Sequence, residues 1–393
     1  MNLPATKLSN IAGKKSRIII GLMSGTSLDG LDIALCRIEG AGFDTKTELL
    51  AFETKTYTDE TKERILKIFA KEQISFPLLI RLHKEIGLLH ADMVLNFLAA
   101  RHLDPRDVDL IGSHGQTIFH LPASSGNSAA TFQIGDADHI ATGTGIITVS
   151  DFRQQHIAAG GEGAPLAPYG DLLLFKPEDK NRIFINIGGI SNFSLIQGKK
   201  ILFSDIGPGN TLLDQVARLR LNRAYDMNGA IASKGKLIEP VLTALLDEKF
   251  LGQPIPKTTG PELFNAEWLE KKSPVPLRDI SSEDLLHTLS EFTALTISYA
   301  IRNMKTDPAN TEIFFSGGGI HNDFLMEMIS KKLQGYTSGT TKDLGIDPDA
   351  KEAILFALLA NESVAGDPDI FRDSNLIRVR MGKISFPGTQ QNF

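Results

Sequence analysis

The chain has 393 residues, of which 42% are hydrophobic and 22% are charged, and its formal net charge is −6. This length and apolar content are typical of a soluble protein with two domains of ordinary size. The acidic balance favours neither a nucleic acid nor an anionic membrane surface as a partner. The single cysteine, Cys36, lies in an apolar run. The sequence therefore predicts a buried thiol and no disulfide framework.

The residues before Arg17 hold no apolar segment of the length that a secretory signal peptide needs. The apolar runs farther along the chain are too short to span a membrane. We therefore expect a cytoplasmic protein. We also expect the residues before about Arg17 to form a loose leader.

Two segments of the chain predict the same arrangement of strands and turns. In the first, the β-branched run RIIIGLM leads through SGTSLDG into a second apolar run, LDIALCRIEG. In the second, which starts at Arg182, the segment RIFINIGGISNFSLIQGKKILFSDIGPG predicts three strands separated by glycine turns. One supersecondary unit repeated in two halves of a chain indicates a duplicated domain.

Helical periodicity occupies much of the remaining chain. Apolar residues recur at intervals of three and four over 61–70, 76–100 and 285–304, and a further strand is predicted over 108–117. The segment TEIFFSGGGIHNDFLMEMISKKL predicts a strand, a triple-glycine turn and a helix. Strands and helices that alternate in this way predict an α/β architecture.

The first glycine turn, SGTSLDG at residues 24–30, combines small residues with hydroxyls and a carboxylate. Small residues let backbone N–H groups approach an anion closely, so this turn could hold a phosphate and help to place Mg²⁺. No lysine follows the glycines, so the segment is not a Walker-type loop. A tight hairpin without a ligand explains the same residues, and the segment alone leaves both interpretations open.

Three further glycine turns lie in the second half of the chain: GGISN at 188–192, DIGPGNTLLD at 205–214 and SGGGIHN at 316–322. The first is equivalent in position to the turn at 24–30, and the last opens a helix whose N–H groups can meet a phosphate or an adenosine. Asp29 or Asp205 could hold Mg²⁺, whereas Asp214 is predicted to be an ordinary helix residue. Glycines that only shape turns are the alternative.

Polar side chains follow the strand predicted over 108–117. The segment SHGQTIFH presents His114, Gln116 and Thr117, whose side chains suit the hydroxyl groups of a sugar. Metal binding by His114 and His120 is the alternative, but no third ligand at a metal-site spacing lies beside them. We therefore predict a carbohydrate contact in this segment.

Several segments together resemble the anhydro-N-acetylmuramic acid kinase family, the sugar kinases of bacterial cell-wall recycling. They are GLMSGTSLDGLDIAL, IGSHGQTIFH, FQIGDADHIA, VSDFR, AAGGEGAPL, NIGGISNF, DIGPGN, FSGGGIHN and KEAILFALLA. They occur in order from Gly21 to Ala360, so the resemblance covers nearly the whole chain. Each segment is a weak signal, but the set is specific.

The resemblance implies an α/β protein with the two-domain actin-like ATPase fold, in which each domain is a duplicated RNase H-like mixed sheet with flanking helices. The expected domains are residues 1–150 with 363–393, and residues 151–362, with ATP and the sugar in the cleft between them. The family reaction uses ATP and Mg²⁺. Water adds to the anomeric carbon of a 1,6-anhydro amino sugar while O6 takes the γ-phosphoryl group. A homodimer is also implied.

The resemblance assigns roles to residues of this chain. ATP contacts are expected from Gly25, Thr26, Ser27, Leu28, Asp29, Gly30, Asp32, Gly188, Gly189, Asn192, Gly207, Gly209, Asn210, Gly317, Gly318, Gly319 and Asn322. Substrate contacts are expected from His114, Gln116, Thr117 and Arg153, and Mg²⁺ would be held by Asp29 and Asp205. Glu352 matches a family carboxylate that points into the sugar site, although an exposed helix residue without a role is the alternative.

The chain departs from the family pattern in the segment DFRQQHIAAGGEG. His156 occupies the position of the aspartate that acts as general base, and Glu162 replaces the usual glutamine. Histidine can accept a proton near neutral pH, but it lacks the negative charge that an oxocarbenium-like transition state favours, which Glu162 could restore. We expect an active kinase with His156, Glu352 and Glu162 as catalytic residues. A kinase for another sugar, or a non-catalytic sugar- or nucleotide-binding protein, are the alternatives.

Overall fold

The computed structural model describes residues 3–25, 28–121, 123, 128–175, 180–260 and 263–388. The chain divides into two compact units, which we call unit 1 (Met1–Lys176 with Ala350–Phe393) and unit 2 (Pro177–Asp349). The sequence predicted two domains with boundaries at 150 and 363. Residues 151–176 and 350–362 instead belong to unit 1, because their helices pack against its sheet and against each other.

Unit 1 is a seven-stranded mixed sheet with helices on both faces. Its strands are β1 (Ser16–Ser24), β2 (Gly30–Glu39), β3 (Lys46–Thr56), β4 (Leu110–Leu121), β5 (Ala130–Ile134), β6 (Ile147–Ser150) and β12 (Lys383–Ser385). Its helices are α1 (Leu3–Ala12), α2 (Asp59–Leu66), α3 (Phe76–Ala99), α4 (Ala137–Thr144), α5 (Phe152–Ala158), α6 (Ala167–Leu174) and α12 (Lys351–Ala365).

Unit 2 is built on a five-stranded mixed sheet. Its strands are β7 (Asn181–Ile187), β8 (Ile190–Gln197), β9 (Lys200–Pro208), β10 (Thr311–Ser316) and β11 (Thr337–Thr340). Its helices are α7 (Thr211–Leu221), α8 (Glu239–Leu246), α9 (Ala266–Lys272), α10 (Ser282–Asn303) and α11 (Asp323–Lys332). The buried apolar side chains of α10 and of the sheet form one continuous core.

The two sheets share one topology, as the sequence predicted. In unit 1 the order β3-β2-β1-β4-β6 has antiparallel pairs among β1, β2 and β3 and parallel pairs from β1 to β4 and from β4 to β6. In unit 2 the order β9-β8-β7-β10-β11 repeats this pattern, antiparallel among the first three strands and parallel for the last two. This repeated strand order, one hairpin meander followed by two parallel strands, confirms the duplicated RNase H-like sheet of the actin-like class.

Close packing of α12 on the sheet of unit 1 depends on two glycines. A Cβ atom at Gly21 of β1 would overlap the carbonyl oxygen of Ala353, and one at Gly112 of β4 would overlap that of Phe356. The neighbours of Gly21 along β1, Ile20 and Leu22, face the core on the opposite side of the sheet, where α3 packs. The alternation of side chains along a strand thus reserves one face for α12.

The residues before Arg17 are not the loose leader that the sequence predicted. Helix α1 places Ile11 in a buried position, and the Arg17 guanidinium, itself 2% exposed, donates to the carbonyl oxygens of Ala12 and Lys14. It also donates to Asn361 of α12 at 2.6 Å. Short-range sequence signals did not reveal this helix because its docking depends on a residue more than 340 positions away.

Two other predictions concern buried groups and membranes. Cys36 is buried as predicted, and burial raises the pKa of its thiol to about 12, so the thiol is protonated. No helix in the part of the chain that the structure describes has the length and apolar character that crossing a bilayer requires.

Candidate active site

The turn between β1 and β2 is anchored on both sides of Thr26 and Ser27, which lie outside the described residues. Leu28 is 6% exposed and belongs to the core although its φ is +59°, a conformation that costs energy for a bulky residue. Gly30 lies so close to Lys55 of β3 that a Cβ atom would overlap its carbonyl oxygen. Asp29, between them, is exposed to solvent. Leu28 and Gly30 therefore fix the described end of the turn, and Asp29 between them is open to solvent.

Of the predicted substrate contacts on β4, His114 and Gln116 are buried, whereas Thr117 is half-buried. Gln116 is fully buried, and its amide nitrogen donates to the carbonyl oxygens of Gly25 and Thr117 at 2.8 and 3.0 Å. The Ser24 hydroxyl lies 2.6 Å from the Gln116 amide oxygen. Direct contact of this side chain with a sugar stays a prediction. In the structure, Gln116 ties β4 to the turn at residues 24–30.

His114 and Arg153 form a hydrogen-bonded pair. The Arg153 Nε donates to His114 Nε2 at 2.8 Å, while His114 Nδ1 lies 2.8 Å from the Gly115 carbonyl oxygen and 3.2 Å from that of Ser24. These contacts require the proton on Nδ1. Burial, followed by the charge of Arg153, lowers the pKa of His114 to about 3, which keeps the imidazole neutral. His114 therefore orients Arg153, and Arg153 is the better candidate for a ligand contact.

Arg153 also connects to His156 through Gly163. Arg153 Nη1 donates to the Gly163 carbonyl oxygen at 2.8 Å, and the Gly163 N–H donates to His156 Nδ1 at 2.9 Å. His156 is 7% exposed and packs edge-on against Tyr169, with ring centroids 5.7 Å apart. Burial first, and Arg153 second, lower the pKa of His156, so the ring is neutral near pH 7. A neutral ring whose Nδ1 accepts carries its proton on Nε2.

Glu352 lies at the start of α12, where solvent reaches it. A carboxylate in the first turn of a helix is ordinarily favoured in its ionised form. Here, desolvation by the surrounding protein and then the negative charge of Asp32 raise the pKa of Glu352, while Arg153 and Lys351 oppose the shift. Asp32 itself accepts from Thr54 at 2.6 Å. The charges of Asp32 and Arg153 therefore act on Glu352 in opposite directions.

The two acidic residues of the segment DFRQQHIAAGGEG each have a partner, a backbone N–H for Glu162 and a lysine for Asp151. Glu162 is exposed, and its Oε2 accepts from the Ala123 N–H at 3.0 Å. Its charge acts on His156, whose pKa it raises against the larger effects of burial and Arg153. Asp151 pairs with Lys383 of β12. Glu162 is therefore near His156 but has a partner of its own.

In unit 2 the structure brings the predicted glycine turns together. The N–H groups of Gly209 and Asn210 donate to the carbonyl oxygens of Gly189 and Gly188 at 2.9 and 2.8 Å. The Asn210 amide donates to the Ile187 carbonyl oxygen at 3.2 Å. A Cβ atom at Gly318 would lie 3.9 Å from the Asn210 amide nitrogen. The ends of β7, β9 and β10 therefore form one glycine cluster, which consists of residues 188–189, 207–210 and 317–319.

Backbone packing explains why glycine occupies several positions of this cluster. Gly317 has φ +83°, and its Cβ would lie 2.5 Å from Asn186 Oδ1. A Cβ atom at Gly319 would overlap Ile187, and one at Gly209 would overlap the Gly188 carbonyl oxygen. Gly207 is buried, and its Cβ would lie 3.3 Å from Leu251. Gly188, Gly189, Gly317 and Gly318 are accessible, so a ligand can reach their backbone groups.

Three polar residues predicted to bind ATP or Mg²⁺ have partners in unit 2. Asn322 caps α11, and its Oδ1 accepts from the Leu325 N–H at 3.0 Å. Asp205 accepts from the Thr259 N–H at 2.9 Å. Asn192 lies opposite Asp205 in the register of β8 and β9, which makes Asp205 its strand neighbour. Mg²⁺ keeps several waters and takes one or two protein carboxylates. The exposed Asp29 fits this requirement, whereas Asp205 is partly committed to its own loop.

Sequence reasoning missed two residues behind the turn, Tyr57 and His90. The Tyr57 hydroxyl lies 2.8 Å from Ser24 Oγ and 2.7 Å from His90 Nε2, and the Tyr57 N–H donates to the Asp29 carbonyl oxygen at 3.1 Å. Both side chains are buried. A tyrosine after a strand and a histidine in an apolar helix carry no motif. The one available signal was a histidine on the apolar face of the helix predicted over 76–100.

A family model described as anhydro-N-acetylmuramic acid kinase matches residues 17–375 of this chain. The anhydro-N-acetylmuramic acid kinase of Pseudoalteromonas atlantica is 46% identical over 98% of this chain and 100% of its own length. Those of Bacillus cereus (strain AH187) and Caldanaerobacter subterraneus subsp. tengcongensis are 38% and 36% identical, over 94% and 96% of this chain and 99% of their own lengths.

Among solved structures, component A of the (R)-2-hydroxyglutaryl-CoA dehydratase of Acidaminococcus fermentans has a TM-score of 0.44 and 11% identity, over 89% of this chain and 99% of that chain. That similarity is too low for any function to be carried over. The family model and the curated relatives, by contrast, match nearly the full length. The chain therefore belongs to the anhydro-N-acetylmuramic acid kinase family, whose members are sugar kinases that transfer a phosphoryl group to an alcohol.

Proposed function

We propose that this protein converts 1,6-anhydro-N-acetylmuramic acid, water and ATP into N-acetylmuramic acid 6-phosphate and ADP in cell-wall recycling. Water adds to the anomeric carbon, the bond between that carbon and O6 breaks, and O6 takes the γ-phosphoryl group. A base on the protein takes the proton of the water. The observation that carries the proposal is the family model's match over residues 17–375, and the exposed Glu352 at the start of α12 supplies a carboxylate for the reaction.

Glu352 is the residue of unit 1 that best fits the general base. It is accessible, and its pKa is raised towards neutrality by desolvation and by Asp32. A base whose pKa lies nearer the working pH gains driving force for proton transfer. Its negative charge, with that of Asp32, would also stabilise positive charge at the anomeric carbon. Arg153 would orient a polar group of the sugar, because its guanidinium is held by His114 and Gly163.

His156 serves this mechanism as a donor rather than as the base. Its Nδ1 accepts from Gly163, so a neutral ring offers the Nε2–H to a ligand oxygen. This differs from our sequence-based expectation that His156 replaces the family aspartate as proton acceptor. The difference arises because a ring nitrogen can accept a proton only when its lone pair is free.

ATP would be bound by the turn at residues 24–30 in unit 1, and the glycine cluster of unit 2 by itself offers backbone groups that suit a phosphate. Accessible glycines in the cluster, such as Gly189 and Gly318, leave backbone groups that bulky side chains do not obstruct. Asp29 would hold Mg²⁺, an ion that neutralises charge on the phosphates when bound. Since ATP is an intracellular cosubstrate, we place the reaction in the cytoplasm, and we propose a homodimer by analogy with the family.

A second candidate function is sugar or nucleotide binding without turnover. The observation that favours it is the replacement of the family base by a histidine whose Nδ1 is already engaged. Under this alternative, Glu352 would hold a sugar hydroxyl without taking a proton from water.

A coupled ADP-release assay with ATP and Mg²⁺ separates the candidates. The substrates are 1,6-anhydro-N-acetylmuramic acid, levoglucosan and N-acetylmuramic acid. Sustained ADP release that requires the first sugar, with a sugar 6-phosphate as product, is the expected result. Turnover only on N-acetylmuramic acid would indicate a kinase of an open sugar. ATP binding by calorimetry without turnover on any sugar would establish the binding function instead.

A further inference from the structure

We infer that Tyr57 and His90 are positioning residues for ATP. They belong to a chain of hydrogen bonds in which each side chain donates to the next, and this hydrogen-bond chain holds the turn at residues 24–30. The chain runs from His90 through Tyr57 and Ser24 to Gln116 and the Gly25 carbonyl oxygen. The inference rests on the proposed function, since it assigns ATP to this turn. Tyr57 touches the turn, His90 acts on the turn through Tyr57, and neither residue is assigned a contact with the reacting atoms.

The four side chains come from four different parts of unit 1. His90 lies in the middle of α3, Tyr57 follows β3, Ser24 ends β1 and Gln116 lies in β4. All four are nearly or fully buried, with exposures of 0% for His90 and Gln116, 1% for Ser24 and 3% for Tyr57. The Tyr57 and His90 rings are also stacked, 6.1 Å apart and 7° from parallel. The turn is therefore coupled to α3 through the core.

The protons can be placed by elimination. Ser24 has a single hydroxyl proton and two nearby acceptors, the Gln116 amide oxygen at 2.6 Å and the Gly30 carbonyl oxygen at 2.9 Å. Ser24 is then the acceptor from the Tyr57 hydroxyl at 2.8 Å. Because the Tyr57 O–H donates its hydrogen bond to Ser24, the Tyr57 oxygen accepts one from His90 Nε2–H at 2.7 Å.

The state of His90 agrees with this assignment. Burial lowers its pKa to about 3, so the ring is neutral and has one N–H. His90 Nδ1 is buried without a hydrogen-bond partner among the described residues. An unpaired nitrogen is less costly as an acceptor than as a donor, so the proton belongs on Nε2. Every hydrogen bond of this network then has its donor on the side of His90, and each bond polarises and strengthens the next.

The hydrogen-bond chain holds the turn on both sides of Thr26 and Ser27. On one side, Tyr57 reaches Ser24 through its hydroxyl, and on the other its N–H donates to the Asp29 carbonyl oxygen. Ser24 also reaches the Gly30 carbonyl oxygen. Loss of the Tyr57 hydroxyl would leave the His90 N–H without an acceptor and Ser24 without a donor. Backbone N–H groups bind phosphate well only when they are held in place, so ATP affinity should fall.

The test is calorimetric titration of the full chain with ATP and Mg²⁺ in the absence of sugar. Tyr57→Phe keeps the ring that stacks on His90 and removes the hydroxyl. We expect the Kd for ATP to rise about tenfold, and the Kd for 1,6-anhydro-N-acetylmuramic acid to change less than about twofold. His90→Leu should have a similar effect. The double variant should bind ATP no more weakly than the weaker-binding of the two single variants, because both substitutions break the same chain of hydrogen bonds.

Thr144→Val is the matched control. It removes a buried hydroxyl of unit 1 that donates to the Ile140 carbonyl oxygen at 2.8 Å and lies outside the chain. It should lower the free energy of unfolding about as much as Tyr57→Phe while leaving ATP affinity unchanged. Wild-type ATP affinity in Tyr57→Phe would overturn the inference, as would an equal loss of ATP affinity in the control.

Nitrogen NMR of the wild-type imidazoles gives a test that needs no variant to fold. We expect His90 as the neutral Nε2–H tautomer at pH 7, and the Nδ1–H tautomer would overturn the assigned direction. The binding experiment also separates this inference from the proposed function. If ATP binding depends on Tyr57 but no turnover occurs, only the proposed reaction is refuted. If the wild type does not bind ATP, both the proposed reaction and the positioning role of Tyr57 and His90 are refuted.

Discussion

The backbone N–H of Gly163 donates to His156 Nδ1 at 2.9 Å. This bond decides what the histidine at the family's aspartate position can do. A neutral imidazole has one lone pair and one N–H, and here the lone pair is already engaged. The pKa of the ring is lowered by burial and by Arg153, so protonation does not change the assignment near pH 7.

The first prediction concerns His156→Asn. Asparagine can accept from Gly163 and still donate to a ligand, so we expect kcat to fall less than about tenfold, with the KM for ATP unchanged. His156→Asp removes the donor, because an ionised carboxylate only accepts, so we expect it to be less active on the anhydro sugar than the asparagine variant. Steady-state ADP release measures both. A loss of about 100-fold in the asparagine variant would instead identify His156 as the base.

The second prediction concerns Glu352→Gln. We expect kcat to fall at least about 100-fold with little change in the Kd for ATP, because the amide cannot take a proton. In the wild type the base must be ionised, so kcat should fall as the pH decreases through the raised pKa of Glu352. Glu60→Gln, at an exposed position of α2, is the control and should keep the wild-type rate. Equal kcat in both variants would remove Glu352 from the mechanism.

The third prediction concerns the stability of unit 1 in acid. His90 and His114 are buried and have pKa values of about 3, against the usual 6.5. Above pH 6.5 they are neutral in the folded and unfolded states. Below it the unfolded chain takes up protons that the folded chain does not. Each histidine should therefore lower the free energy of unfolding by up to about 1.4 kcal/mol per pH unit, until the pH approaches 3.

Urea unfolding followed by hydrogen exchange at pH 7.5 and 5.5 measures this loss for each unit. His90→Leu should reduce the pH dependence of unit 1. Replacing the exposed His321 of unit 2 by asparagine should leave it unchanged. Equal stability of wild-type unit 1 at the two pH values would contradict the burial of neutral histidines.

The fourth prediction concerns Gly21→Ala. The added methyl group would overlap the carbonyl oxygen of Ala353 and lie 2.8 Å from the Ala357 nitrogen, so α12 must move away from β1. We expect a loss of about 1–3 kcal/mol in the free energy of unfolding and a lower kcat, because α12 carries Glu352. Gly13→Ala, whose nearest contact would be at 3.6 Å, should have neither effect. Thermal unfolding and ADP release measure the two consequences, and a stable, fully active Gly21→Ala protein would refute the packing argument.

The sequence by itself predicted the elements whose signals are local. Runs of β-branched and apolar residues identified β1, β2 and β7 to β9, helical periodicity identified α3 and α10, and the repeated module indicated the duplication that the two sheets confirm. The glycine turns could also be found, because glycine marks positions where a side chain does not fit, and Gly209 and Gly317 meet that description. These features depend on a few consecutive residues and are written directly in the chain.

Only the tertiary structure decided the roles of individual polar groups. The pattern gave His156 as a base, Gln116 as a sugar contact and the residues before Arg17 as a leader. The fold engages the first two in hydrogen bonds and places a helix at the third. It also brings Tyr57 and His90 to Ser24. The physical reason is that the tautomer, pKa and partner of a buried group are set by burial and by residues distant in sequence, on which local patterns carry no information.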